Sequence, residues 1–209
     1  MGDRNQAAPT MAGFQPRRWF REWFPVLLMI GLVLVARSTL ADHYHVPSGS
    51  MEPSLMPGDH VLVSKSAYGY RIPFTHQVLL PGDAPVRGDV VIFDSPEDGV
   101  RLIKRVVAVG GDVVAVRGGN VVIDGQPRHQ SSHTMEHYQR GMVRLNLEHG
   151  GGPDLLPVRV PPGFVLVLGD HRGNSKDGRF FGFVPIEALY GRARGVFWRT
   201  STGPTWQPL

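Results

Sequence analysis

The chain of 209 residues contains no cysteine. That excludes a disulfide framework, a thiolate nucleophile and a cysteine-based zinc site. There is no internal repeat, no glycine-rich phosphate loop ahead of a helix and no dinucleotide fingerprint, so repeat architectures and the common nucleotide-binding folds fall away. The net charge of +4 is not gathered into any long Lys/Arg stretch interleaved with aromatics, and nucleic acid is not an expected partner. No metal or cofactor is called for.

Glycine and proline, by contrast, are plentiful: 26 and 18 residues, about a fifth of the chain. That richness points to many turns joining short strands, and so to a mostly β fold. Long apolar runs are scarce. The one candidate, Trp23–Ala36, is uncharged over 14 residues. As a helix it would rise about 21 Å, short of the ~30 Å hydrocarbon core, but extended over Trp19–Leu40 it would rise about 33 Å and span. Arg21, Glu22 and Arg37 fall near the ends of that longer segment, where long side chains can snorkel. A cleaved secretory signal, with a processing site at Thr39-Leu40-Ala41, and a buried core helix are the rival readings. Arg4, Arg17, Arg18 and Arg21 precede the run against Asp3 and Glu22, which keeps the amino terminus inside. The expected organisation is a disordered cytoplasmic tail over 1–18, a transmembrane anchor helix over 19–41 and an extracytoplasmic β-rich domain over 42–209.

Within that domain, His60–Ser66, Asp89–Asp94, Val100–Val109, Phe164–Gly169, Phe180–Val184 and Gly191–Trp198 read as strands, with a turn or short helix at Pro185–Leu189. Asp112–Val116 and Gly119–Asp124 read as a hairpin around Arg117-Gly118. Arg71–Arg87 reads as an irregular loop or edge strand with exposed apolar residues. Gln126–Pro157 is polar and gives little pattern. His129, His133 and His137 recur at intervals of four there, but no carboxylate–His spacing accompanies them, and they read as surface residues.

Two features carry chemistry. The stretch Val46–Asp59 (VPSGSMEPSLMPGD) exposes Ser48 and Ser50 on a glycine-loosened turn, which can present a nucleophile and an oxyanion donor together. A serine nucleophile needs a base. His43, His45, His60 and His171 are available, yet there is no Gly-x-Ser-x-Gly elbow to suit them. Lysine is the other option, and it acts as a base only when neutral. Lys104, flanked by Leu102, Ile103, Val106 and Val107, is the residue whose burial would lower its pKa, while Arg105 stays protonated.

SGSMEPSL from Ser48, RGDVVIF over Arg87–Phe93, RLIKRVVAVGGD over Arg101–Asp112 and GDHRGNSKDGRFFGFVP over Gly169–Pro185 resemble, in order, the boxes of the bacterial type I signal peptidases. The upstream apolar run and Gly191–Ala193 (GRA) fit as well. The resemblance implies an antiparallel, barrel-like β-domain on the extracytoplasmic face of the bacterial inner membrane, held by a single pass with the amino terminus inside. It implies a membrane-bound serine endopeptidase that cuts signal peptides from exported preproteins after a small-x-small site. Ser50 would be the nucleophile and Lys104 the general base. The Ser48 hydroxyl and the Ser50 N–H would form the oxyanion hole. Ser175 would orient the lysine amine by a hydrogen bond, and Asp177 with Arg179 would form a supporting ion pair. Val46, Met51, Leu55 and Ile103 would line the small-residue pockets. Preproteins, membrane lipid and the secretion translocon are the implied partners.

The loop departs from the family's commoner residues at His171, Gly173 and Gly178, and Leu102 stands where some members carry an aromatic. The segment 118–160 matches no particular member and reads as a variable insertion. Two other readings stay open: a Ser–Lys peptidase dedicated to pilin or conjugation substrates, and a non-enzymatic, membrane-anchored β binding domain.

Overall fold

The computed structural model describes residues 21, 23–31, 33, 41–71, 78–129 and 133–209. The chain divides into two compact units, Met1–Ala36 and Arg37–Leu209. In the first, residues 21, 23–31 and 33 are helical. Among the described residues no helix is long and apolar enough to cross a membrane. This overturns the transmembrane anchor over 19–41. With it goes the single-pass inner-membrane topology, amino terminus inside and domain on the extracytoplasmic face, which rested on that helix. The tail expected over 1–18 lies outside the described residues.

The described residues of the second unit form sixteen strands: β1 (Ala41–His45), β2 (His60–Ser64), β3 (Gly69–Arg71), β4 (Val78–Pro81), β5 (Val90–Asp94), β6 (Arg101–Val109), β7 (Val113–Arg117), β8 (Asn120–Ile123), β9 (Gln126–Pro127), β10 (Met135–Tyr138), β11 (Gly141–Arg144), β12 (Leu155–Arg159), β13 (Phe164–Leu168), β14 (Val184–Pro185), β15 (Leu189–Arg199) and β16 (Gly203–Pro208). The main sheet runs β1-β2-β15-β5-β6-β13-β14, with β16 added on β15. A second sheet runs β12-β7-β8-β9, and β3-β4 and β10-β11 are separate ribbons. The main sheet pairs antiparallel throughout. Its two ends, β1 and the two-residue β14, do not meet, and among the described residues no sheet closes. The barrel-like expectation is corrected to open antiparallel sheets.

The composition explains the centre of the sheet. β5 is a Val/Ile/Phe run buried on both faces. Val90 and Ile92 join one core cluster with Val61, Val63 and Val196, while Val91 and Phe93 join another with Val106, Val167 and Leu189. Alternation along the strand sends successive side chains to opposite clusters. Each fully buried aliphatic contributes roughly 1.5–3 kcal/mol, so this strand is the fixed element against which its neighbour β6 is registered. That register sets Lys104 opposite Val91 and Arg105 opposite Val90.

The hairpin β7–β8 turns through Gly118 and Gly119, both at positive φ (54° and 84°), with Arg117 paired to Asn120. Two consecutive positive φ values suit a two-residue hairpin turn, and glycine takes them without steric cost.

Two sequence expectations fail in this unit. Phe180–Val184 is not a strand: Gly178–Phe181 forms one helical turn, capped by the Asp177 carboxylate accepting from the Arg179 N–H at 3.2 Å. Only Val184–Pro185 pairs, with β13. The polar segment around 126–157 is ordered into β9 to β12. His137 lies on a strand there, so the four-residue spacing of the histidines does not make a helix face.

Candidate active site

Residues 46–59 close on themselves. The Val46 N–H donates to the Asp59 carbonyl and the Gly58 N–H to the Val46 carbonyl, both at 2.9 Å. The Asp59 carboxylate accepts from the Met56 N–H at 2.9 Å and from Arg199 at 2.8 Å. Val46, Met51 and Leu55 are fully buried and hold the loop from beneath. The short 3-10 turn Gly49–Met51 carries Ser50 at its centre. A stretch that reads as loose in sequence is therefore clamped at both ends.

Ser50 is 8% exposed and Lys104, on β6, is 3% exposed. The Lys104 Nζ and Ser50 Oγ are hydrogen-bonded at 2.6 Å across 54 positions of sequence. Burial lowers the Lys104 pKa from the usual 10.5 to about 8, although the carboxylates of Asp177 and Asp170 pull the other way. A protonated ammonium is poorly solvated between these strands, so the neutral amine becomes accessible near neutral pH. Ser48 Oγ donates to Ser50 Oγ at 3.4 Å, which sets a second hydroxyl beside the first.

The loop between β13 and the helical turn closes the site from the other side. The Arg105 guanidinium, also buried, donates to the Asp170 carboxylate at 2.7 and 2.8 Å and to the Gly88 carbonyl at 2.8 Å. The His171 N–H donates to the Ser50 carbonyl at 3.2 Å. Asp177 accepts from the Gly169 N–H at 3.0 Å and pairs with Arg179 at 2.8 Å. Arg179 extends to the carbonyls of Gly151 and Arg172 at 2.5 and 2.6 Å. Gly169 has no room for a side chain, since a Cβ there would lie 2.3 Å from Ser175 Oγ and 2.4 Å from the Ser50 carbonyl oxygen. That close approach packs the loop directly on the Ser50 backbone.

The structure thus brings together Ser48, Ser50 and Lys104, and builds the Asp177–Arg179 pair. Ser175 lies beside Gly169, but its buried hydroxyl makes no hydrogen bond, so the expected bond to the Lys104 amine is not formed. Val46, Met51, Leu55 and Ile103 meet in one buried cluster with Val61, Val63, Val90, Ile92, Ala193 and Val196. Among the described residues no group of three or more His, Asp or Glu is placed to hold a metal ion.

Sequence reading passed over Gly169, Asp170 and Arg172. The one local signal was their charge and glycine content within GDHRGNSKDGR. It also passed over Glu136, fully buried on β10, for which the sequence offers no signal. The His171 ring is engaged away from the Ser50 hydroxyl. It approaches Glu52 at 3.4 Å, the Gly49 carbonyl at 3.3 Å and the His149 ring at 2.9 Å, and no bond to Ser50 Oγ is made by any histidine among the described residues.

The family described as signal peptidase, peptidase S26 matches residues 17–198. Signal peptidase I of Pseudomonas fluorescens is 34% identical over 204 residues, covering 85% of this chain and 70% of that protein. Signal peptidase I of Pseudomonas aeruginosa is 34% identical over 203 residues, with the same coverage of 85% and 70%. A probable signal peptidase I-1 of Synechocystis sp. is 35% identical over 196 residues, covering 89% of this chain and 86% of that one. With most of its length matched, and with a buried lysine amine 2.6 Å from a serine hydroxyl, the chain belongs to the signal peptidase, peptidase S26 family.

Proposed function

We propose that Ser50 and Lys104 are the catalytic pair of this signal peptidase I-type serine endopeptidase, with residues 42–209 as the catalytic domain. Cleavage of signal peptides is the family's function. The observation that carries the assignment of residues is the 2.6 Å separation of Lys104 Nζ and Ser50 Oγ inside the fold. In the neutral form the amine accepts the hydroxyl proton as Ser50 Oγ attacks the scissile carbonyl. The Ser50 N–H and the Ser48 hydroxyl donate to the oxyanion. The lysine ammonium then gives its proton to the departing amine, leaving an acyl group on Ser50. A water, deprotonated by Lys104, releases it and restores the serine.

Gly169, Asp170 and the Asp177–Arg179 pair hold this arrangement, and Ser175 is the hydroxyl available to the amine once substrate is bound. Val46, Met51, Leu55 and Ile103 are proposed to set the preference for small residues from beneath, as the packed apolar floor under the Ser50 turn. Exported preproteins are the substrates that family membership implies, in a membrane context. Bilayer lipid and the secretion translocon are proposed as further partners.

The experiment is cleavage of a purified preprotein carrying a small-x-small site. The parent yields the mature chain. Ser50→Ala and Lys104→Met, each folded, yield none above background. Parental rates in either variant would refute the assignment.

A further inference from the structure

The segment between β8 and β12 does more than fill space. Glu136, on β10, is 0% exposed and its carboxylate is fully engaged. It accepts from the Val121 N–H at 2.6 Å, from the Tyr138 hydroxyl at 2.5 Å and from both ends of the Arg172 guanidinium at 2.7 and 3.3 Å. Arg172 is likewise 0% exposed. Its Nε donates to the Gly169 carbonyl at 3.0 Å, and its Nη1 donates to the Gly119 carbonyl at the β7–β8 turn. One buried guanidinium therefore ties three places together: the carboxylate of β10, a turn of the second sheet and the first residue of the catalytic loop.

The consequence lies at Gly169. Its carbonyl is held by Arg172, its N–H by Asp177, and its Cα face lies against the Ser50 carbonyl and Ser175. Two residues on, the His171 N–H donates to the same Ser50 carbonyl. Arg172 cannot shed its charge on burial, because guanidinium stays protonated at any working pH. Without Glu136 it would be an uncompensated buried cation and would have to turn toward water, taking the Gly169 contact with it. Burial pulls the Arg172 pKa down, and the Glu136 carboxylate more than offsets it, so the net direction is upward. Coupling of this kind needs a contiguous set of packed and hydrogen-bonded groups, and here the chain is short: Glu136, Arg172, Gly169, Ser50.

We propose that Glu136 is a positioning residue for the Ser50–Lys104 pair, acting through Arg172 on the Gly169 turn of the catalytic loop. The inference rests on the assignment of Ser50 and Lys104 as the reacting groups. Misplacing a catalytic group by about 1 Å can cost roughly 100-fold in rate. Loosening the loop also admits water to Lys104, and burial is the main cause that lowers its pKa.

The test compares Glu136→Gln with the parent on preprotein cleavage, well below the unfolding temperature, with rates referred to folded protein by near-ultraviolet circular dichroism. The expected result is a kcat at least tenfold lower, KM within twofold, and the ascending limb of the pH–rate profile moved to higher pH. A purely structural glutamate would lower the unfolding temperature and leave kcat and the limb of the folded fraction in place, and that result overturns the proposal. Should Glu136→Gln not fold, the double variant Glu136→Gln with Arg172→Met removes the buried cation together with its partner, a replacement that interiors tolerate. Folded protein with kcat reduced at least tenfold supports the proposal, and folded protein with parental kcat overturns it. Ser50→Ala is run alongside. If it cleaves like the parent, the assignment of the pair has failed. If it is inactive while the Glu136 variants are parental, only the positioning role has failed.

Discussion

Lys104 should destabilise the fold it serves, by an amount that depends on pH. Its pKa is lowered from 10.5 to about 8 by burial. At about 1.4 kcal/mol per pKa unit, that difference corresponds to roughly 3 kcal/mol. The sign follows from proton counting. Below about pH 8 the lysine is charged both folded and unfolded, and the folded state carries the whole cost of the buried ammonium. Between about pH 8 and 10.5 the unfolded chain binds a proton that the folded chain does not, so stability rises with pH. Above 10.5 the amine is neutral in both states and the cost is gone. Lys104→Met keeps the stem and removes the charge. Urea unfolding of parent and variant at a series of pH values cancels every other titrating group. The variant should be more stable by about 3 kcal/mol at pH 7, and the gap should close through the window from about 8 to 10.5. A gap that is absent at pH 7, or that does not change with pH, would refute the claim that burial depresses this lysine.

Two further substitutions probe the packing around the pair. Gly169→Ala places a methyl 2.3 Å from Ser175 Oγ and 2.4 Å from the Ser50 carbonyl oxygen. Overpacking of this kind costs about 1–3 kcal/mol, so thermal unfolding should show lower stability together with a large loss of cleavage. Parental values in both would mean that the loop does not pack on Ser50 as described. Ser48→Ala removes a hydroxyl 3.4 Å from Ser50 Oγ. As one oxyanion donor it should lower kcat by roughly 100–1,000-fold with little change in KM, and an unchanged kcat in steady-state cleavage would remove Ser48 from the oxyanion site.

The strands that could be read from sequence are those whose own residues demand burial. Asp89–Asp94 and Val100–Val109 are β-branched runs, and β5 and β6 lie where they were expected. The hairpin over 112–124 was legible from its glycines, although its turn falls at Gly118-Gly119, one residue beyond the expected Arg117-Gly118. Burial of Lys104 was not legible from its apolar neighbours alone, because an exposed place on an edge strand fits the same residues; it is buried because β6 pairs on both sides, with β5 and β13. What was not legible depends on partners distant in sequence. Arg105 looked like a second cation in an apolar strand, and it is accommodated by Asp170, 65 positions on. Glu136 and Arg172 each look like ordinary surface charges and become buried because they meet. The variable-looking stretch 118–160 turned out to hold Glu136, the partner of Arg172, and the Gly151 carbonyl that Arg179 uses. Phe180–Val184 misled through its apolar content, because Asp177 starts a helical turn there. The apolar run near the amino terminus has the length for a span on paper, yet the described helical residues do not amount to one.

The central claim is that a lysine made basic by burial activates Ser50, and the pH dependence of kcat/KM for preprotein cleavage tests it most directly. The rate should rise with unit slope on a logarithmic scale and level off through an apparent pKa of about 8. A limb near 6.5 would point to a histidine base, and one near 10.4 to an unperturbed lysine; either would contradict the account.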